Sequence, residues 1–566
     1  MTQTRLVGAL AAALSIGCVG NIGASSGGGA STGTGTGAGG AGAVGGPAGG
    51  DKLPTDGQMK TANPELFTIA AKYFPGEAAA GAPKRVFRLT RAQLDATAKA
   101  LLPAQQPASA LAAVPSDPLQ TNYEYAANLG FNAANFTPYT KWVDDIVAGV
   151  RANPASVINC APSGNSATCL QAEAKRFVSR AFRGTASDAA LARHADFFTA
   201  SVAAVGLADA TADLVGLALT SPSFVFRDEV LTDVTGFLLP AERLQNMTYT
   251  LADAPPDAVG LSSATPSATL LTSDDVQATA NRILETPEAR AKLLRFFTSW
   301  LEVKETDEFT IAPSAFPEFT PAMAAAVVEE TRAFLNHHLS KAAPTLKDVT
   351  QSTQSFVSDA AGLKLVDLDP AQRLGIFTLP AVIASHSGPT TTRLVKRGVF
   401  FTRKVMCLPL GQPPANVDTT IPATATGTER QKIEGATQAG TCAACHSFIN
   451  PFGFMQENYD AIGRWRTTDQ GLPIDASISV NFLDEGPLAT STPVDALKGF
   501  TGSMRFKQCF VRQLFRFYMG RDELPADDPV LRQMFFGFAT NDAQDIVQLL
   551  RVLATSSGFS QRTEAP

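Results

Sequence analysis

The sequence predicts a mainly α, multi-module chain with a cytochrome c-like haem segment near its C-terminus. Three observations predict it. Apolar residues recur at helical spacing along most of the 566 residues, while runs of strictly alternating residues are few. Pro- and Gly-rich breaks divide the helical stretches. One C-x-x-C-H unit stands at 442–446, just after the longest of those breaks.

Taken in order, the N-terminus MTQTRLVGALAAALSIGC has Arg5 as a positive start and a short apolar run from Leu6 to Ile16. This is too short to span a bilayer and reads as a secretion signal over 1–18. Its end, Ser15-Ile16-Gly17-Cys18, resembles a lipobox, with Cys18 the lipidated residue. A lipobox usually carries Leu three places before the cysteine, and here Leu14 lies four before. Lipidation and plain secretion are both open readings. Residues 19–50 are almost entirely Gly, Ala, Ser and Thr, which cannot bury apolar area, and the flexible tether is set at 19–83. The expected location is extracytoplasmic, in the periplasm or at the cell surface, with the membrane met only through an N-terminal lipid. The net charge of -6 is spread along the chain and no basic stripe occurs, so nucleic acid is not an expected partner.

Length beyond the tether suggests about three or four domains. The breaks divide it into helical modules at 84–155, 156–232, 233–370, 371–483 and 484–566. Ser273 can cap a helix in which Val276, Ala280, Ile283 and Leu284 share a face. Met323, Val327, Phe334 and Leu335 form a second stripe, and Phe506, Cys509, Phe510, Leu514 and Phe517 a third, with Gly520 as its stop. The aromatic stripes read as core.

Seven cysteines are present. With Cys18 in the signal and Cys442 and Cys445 in the C-x-x-C-H unit, four remain for an oxidising compartment. Cys160 and Cys169 flank the turn-rich APSGNSAT and are expected to pair. Cys407 and Cys509 then pair by elimination, closing a loop of about 100 residues worth about 4–5 kcal/mol in the chain-entropy model. The other reading of these two is a pair of buried thiols.

The unit Cys442-Ala443-Ala444-Cys445-His446 carries the chemistry. On a helix, i and i+3 lie on nearly one face, so two thiols there can bond both vinyl groups of one haem while the next residue, His446, meets the iron. A zinc site would need a further ligand, and no second C-x-x-C or H-x-x-x-H exists. A thioredoxin-like pair would need a βαβ setting that the pattern lacks. Met455 is taken as a second metal ligand, with Met504, Met406 and His386 as alternatives, or none. Each of these also reads as a core methionine or a hydrogen-bonded loop histidine. Arg464 and Arg466 in ENYDAIGRWR are expected to pair with haem propionates, against an Asp460–Arg464 helix pair. Tyr459 and Trp465 could pack on the ring or fill the core. His194, His337 and His338 read as surface or satisfied residues.

The chain also resembles a group of secreted bacterial proteins built from domain-of-unknown-function families 1587, 1595, 1592, 1588 and 1585 in that order, over about residues 84–563. The resemblance rests on FRLTRAQLDATAKALL at 87–102, the Cys160–Cys169 spacing with FVSRAFRG and LALTSPSFVFRDE, LADAPPD and FFTSWLEV, and CFVRQLFRFYMGRDEL with LATSSGFSQR. It is strongest in SHSGPTTTRLVKRGVFFTRKVMCLPLGQPP at 385–414 and CAACHSFINPFGFMQENYDAIGRWR at 442–466. The family often has Ser-Pro where Arg393 and Leu394 stand, and Leu-Glu-Asn-Phe-Asp where Gln456 to Asp460 stand. The resemblance implies a haem-binding C-terminal region like cytochrome c, and no known substrate. The functional expectation is an exported monohaem electron-transfer protein, or redox subunit of a surface assembly, with one covalent haem c and an unidentified redox partner protein. Whether it is an enzyme is left open. Some relatives carry carbohydrate-binding modules, so the alternative is an envelope scaffold or polysaccharide binder whose haem segment is structural.

Overall fold

The computed structural model describes residues 54–564 except 78–80, 121–122, 125–128, 161–163, 263–269, 271, 412–424, 439, 441 and 542–543. The expected signal, Cys18 and the first part of the tether lie outside the described residues. The chain is mainly helical, as the spacing predicts, and its sheets are two-stranded among the described residues.

The tether expected over 19–83 ends earlier than its composition suggested. Asp56–Ala62 (α1) and Pro64–Tyr73 (α2) are helices, capped by Thr55 and Asn63, and they bury Met59 and Leu66. They dock on the far end of the chain. Arg532 pairs with Asp56 at 2.7 Å and donates to the Gly76 carbonyl at 2.8 Å. A few apolar anchors and one buried arginine hold this segment against the rest of the chain.

Next come Arg85–Arg88 (β1), Arg91–Leu101 (α3), Ala133–Ala152 (α4), Ala167–Ala181 (α5), Asp188–Val205 (α6), Leu207–Thr220 (α7) and Phe226–Glu229 (β2). β1 and β2 pair antiparallel, with Arg85 opposite Glu229. These helices enclose one apolar core around Trp142, Phe177 and Phe198. Cys160 and Cys169 are joined by a disulfide at the start of α5. The chain continues through Pro240–Ala252 (α8), Ser273–Leu284 (α9), Pro287–Trp300 (α10) and Pro321–Leu339 (α11), then the hairpin Gln354–Asp359 (β3) and Gly362–Asp367 (β4). It ends with Leu394–Phe400 (α12), Glu429–Thr437 (α13), Cys442–Phe454 (α14), Pro493–Gly502 (α15), Met504–Met519 (α16), Asp528–Thr540 (α17) and Ile546–Thr555 (α18).

The module boundaries read from Pro and Gly breaks do not separate cores. The described residues fall in one compact unit, and the main core takes residues from Met59 to Phe559. A Pro or Gly break redirects the chain without dividing the apolar surface that its flanking helices share. Phenylalanine fills this core: Phe452, Phe401, Phe377 and Trp300 form a continuous series with centroids 5.0–6.0 Å apart. The chain closes on itself at Arg562, which is buried and bonds Glu229 at 2.7 Å, while Arg85 bonds the same carboxylate at 2.6 Å.

His338 on α11 gives a measurable consequence of this burial. Its ring packs 4.5 Å from Phe334, and neither ring nitrogen has a hydrogen-bond partner among the described residues. Burial, helped by the Lys341 charge, pushes its pKa from 6.5 down to about 4. The unfolded chain therefore binds more protons at this position between those values. Stability is full above pH 6.5 and falls as pH drops through that window, by about 1 kcal/mol per unit. Urea midpoints between pH 7 and pH 4 should show this slope, and His338→Phe should flatten it.

Candidate functional site

The C-x-x-C-H unit forms the opening of α14. Ile449, Phe452 and Gly453 make the buried stripe of that helix. Counting back by three and four residues, the same stripe passes through His446, Cys445 and Cys442. There it is only partly buried, so the packed face runs out into an uncovered end that carries the two thiols and the imidazole. Both thiols are outside any disulfide.

The helix is held in place by close contact with α12. A Cβ on Gly398 would meet the Ile449 carbonyl oxygen at 2.2 Å, and one on Gly453 would meet the Leu394 carbonyl oxygen at 2.3 Å. Glycine on each helix therefore lets the two backbones touch. Arg397 of α12, which is buried, donates to the carbonyls of Tyr459 at 2.8 Å and Asp460 at 2.7 Å, and to Ser387 Oγ at 2.8 Å. It thus ties the segment after α14 to the segment before α12. A π-helical turn over Phe401–Val405 follows α12, and Cys407 just beyond it is joined to Cys509 of α16.

A line of hydrogen bonds fixes the state of His446. Thr437 Oγ1 donates to the Ile433 carbonyl at 2.7 Å, so its oxygen accepts from Asn450 Nδ2 at 3.0 Å. That contact turns Asn450 Oδ1 toward His446 Nδ1, 2.8 Å away. An amide oxygen only accepts, so Nδ1 is the nitrogen that donates, and in the neutral ring Nε2 is the one with the lone pair. Metal-binding histidines are oriented in this manner by the hydrogen bond of the other ring nitrogen. Asn450 and Thr437 were missed in the sequence. The signal was there in part, since Asn450 is four residues after His446 on a helix, but Thr437 comes from α13 and only the fold brings it near. The donor set therefore fits a covalent haem: two unpaired sulfurs at i and i+3, and an imidazole with a free Nε2.

Other expected site residues are placed elsewhere. Met455 lies nine residues beyond His446, about 13 Å further along the helix direction, and is fully buried in the main core. Met406 is likewise core. Met504 packs against the core at the start of α16. His386 is buried, donates from Nε2 to the Leu301 carbonyl at 2.9 Å and stacks on Phe400 at 3.9 Å. Arg464 and Arg466 make ion pairs within the chain. Arg464 bonds Asp460 at 2.7 Å and pairs with Glu318, and Arg466 bonds Asp469 at 2.6 Å. Both follow the end of α14 remote from Cys442, about 18 Å along the helix, and brace the turn that Arg397 holds. Tyr459 fills the core, donating to the Gln372 carbonyl at 2.6 Å with Trp465 edge-on at 5.5 Å.

Among the described residues no cluster of three or more His, Cys, Asp and Glu is arranged to hold a metal ion, so the zinc reading gains no further ligand there. No helix among them is long and apolar enough to cross a membrane. No curated protein and no solved structure matches the chain. Two family matches cover its middle, one spanning α8 to the start of the β3–β4 hairpin's return strand and the other spanning α12 to α14. Residues 239–362 match the family described as protein of unknown function (DUF1592) and residues 373–469 that described as protein of unknown function (DUF1588), so the chain carries both modules in that order.

Proposed function

We propose that the chain is an exported, monohaem, c-type cytochrome-like protein that passes single electrons to a partner protein at the cell envelope, anchored there by a lipid on Cys18. The observation that carries this reading is the Thr437–Asn450–His446 line, which makes Nε2 the lone-pair nitrogen of the neutral imidazole on the helix that bears two unpaired thiols. The short name of the family matched over 373–469, PSCyt3, agrees with a cytochrome-like module. Cys442 and Cys445 would hold the haem through their sulfurs, and His446 would bind its iron. The haem, when bound, supplies the Fe(II)/Fe(III) couple. The rest falls to the chain. α12 fixes the helix, and Asn450 fixes the imidazole plane and its proton.

The test is the optical spectrum of protein matured in the periplasm, oxidised and then reduced. Sharp c-type bands on reduction are expected, and a colourless protein would contradict the proposal. Asn450 gives a finer test. Asn450→Leu removes the acceptor, makes the imidazole a weaker donor and should raise the midpoint potential. Asn450→Asp strengthens the acceptor and should lower it. One hydrogen bond of about 1.4 kcal/mol corresponds to about 60 mV for one electron. Potentiometry should find shifts of that order and of opposite sign, whereas a purely structural Asn450 would shift both variants alike.

A further inference from the structure

A second site lies away from α14, where β2, α3, α10 and α16 meet. They enclose a cavity of about 60 Å³ lined by Arg227, Tyr518, Lys292, Arg295, Asp253 and Gln93, among others. Two of these side chains are buried and incompletely bonded. Arg227 is 4% exposed, yet its Nε and Nη1 have no hydrogen-bond partner among the described residues, and the Tyr518 hydroxyl, on a residue 3% exposed, has none either. The nearest carboxylate to Arg227 is Glu229 at 3.5 Å, and that group is already engaged by Arg85 at 2.6 Å and Arg562 at 2.7 Å. The Arg227 guanidinium lies over the Phe87 ring at 4.3 Å, which fixes its plane without using its N–H groups.

The charges point the same way. Three cations, Arg227, Lys292 and Arg295, line the cavity against one carboxylate, Asp253. Asp253 is saturated: it accepts from Gln93 and Lys292, each at 2.8 Å, and pairs with Arg295. Lys292 is buried, which pulls its pKa down to about 8 despite the Asp253 charge. Water could satisfy the open donors of Arg227 and Tyr518 but carries no charge to complement the cations of the lining. An oxyanion does both, and a planar guanidinium fork with a phenol hydroxyl suits it. Arg295 is 39% exposed, so the cavity is open to solvent at that side.

We propose that this cavity is a binding site for a small oxyanion, the carboxylate or phosphate group of a small-molecule ligand, held by Arg227 and the Tyr518 hydroxyl. The site is separate from the proposed haem helix and does not depend on it. Its volume admits the anionic group itself and little more.

The test is calorimetric titration of the full chain with sodium phosphate and, separately, sodium acetate, at constant ionic strength held with chloride. One-site binding of either anion is expected. Whichever binds identifies the group as phosphate or carboxylate. Tyr518→Phe removes only a hydroxyl that has no hydrogen-bond partner among the described residues, so the variant should fold, and binding should weaken about tenfold. Arg227→Gln should abolish it. Absence of binding by both anions at millimolar concentration, or binding unchanged in Tyr518→Phe, would mean a water-filled cavity and overturn the proposal.

Discussion

Replacing Cys442 and Cys445 together by alanine is expected to abolish covalently held haem and leave the fold standing. Both thiols are unpaired and only partly buried, at the exposed end of the α14 stripe. Alanine is the best helix former, so the helix start loses nothing intrinsic. Substitutions away from core packing change stability by about 0.5 kcal/mol or less, and little more is expected here. The loss of the cofactor should nevertheless be complete, because no other cysteine lies on this face of α14. Each single substitution leaves one sulfur, and some haem should then survive denaturation. A denaturing gel stained for haem peroxidase activity, with circular dichroism as the control for folding, separates these outcomes. A stained band in the double variant would refute attachment at these residues.

The second large effect is structural. Arg397→Met should cost about 3–5 kcal/mol, because one buried guanidinium holds three separate segments. Its Nη1 donates to the carbonyls of Gln456 and Tyr459 at 3.1 and 2.8 Å, and its Nη2 to Ser387 Oγ and the Asp460 carbonyl at 2.8 and 2.7 Å. Burial lowers its pKa to about 10, so it stays charged at neutral pH. Methionine fills much of the volume and supplies no donor, which leaves those acceptors without this partner inside the protein. Arg397→Lys should recover only part of the loss, since a single ammonium cannot span the same acceptors. Guanidinium denaturation of the three proteins would show it. A loss below about 1 kcal/mol in the methionine variant would mean that water replaces the arginine.

The legible parts of this protein were the local ones. The helical stripes at 273–284, 321–339 and 504–519 appear where the periodicity put them, since a helix face is written within a few turns of sequence. The C-x-x-C-H unit is likewise a one-turn pattern, and its helix is where the chain presents it. What escaped was set by partners distant in sequence. α1 and α2 are ordered by Arg532, more than 470 residues away from Asp56. For Arg464 the Asp460 pair was legible in ENYDAIGRWR, whereas its second carboxylate, Glu318, comes from far along the chain, and Arg466 takes Asp469 just beyond that stretch. The burial of Met455 in the main core was not legible either, because that core is assembled from residues distant in sequence. Asn450 was overlooked because its meaning depends on Thr437, which reaches it from another helix. The Arg227 cavity needs β2, α10 and α16 together, and no single stretch of sequence suggests it.

The central claim is that one helical turn, Cys442 to His446, carries a covalent haem. The most direct measurement is the intact mass of the periplasmically matured protein under acidic, denaturing conditions. The account predicts a polypeptide heavier by one haem, with the increment confined to the peptide that contains Cys442 and Cys445. A mass equal to that of the polypeptide with its lipid alone, with both thiols free to alkylate, would contradict it.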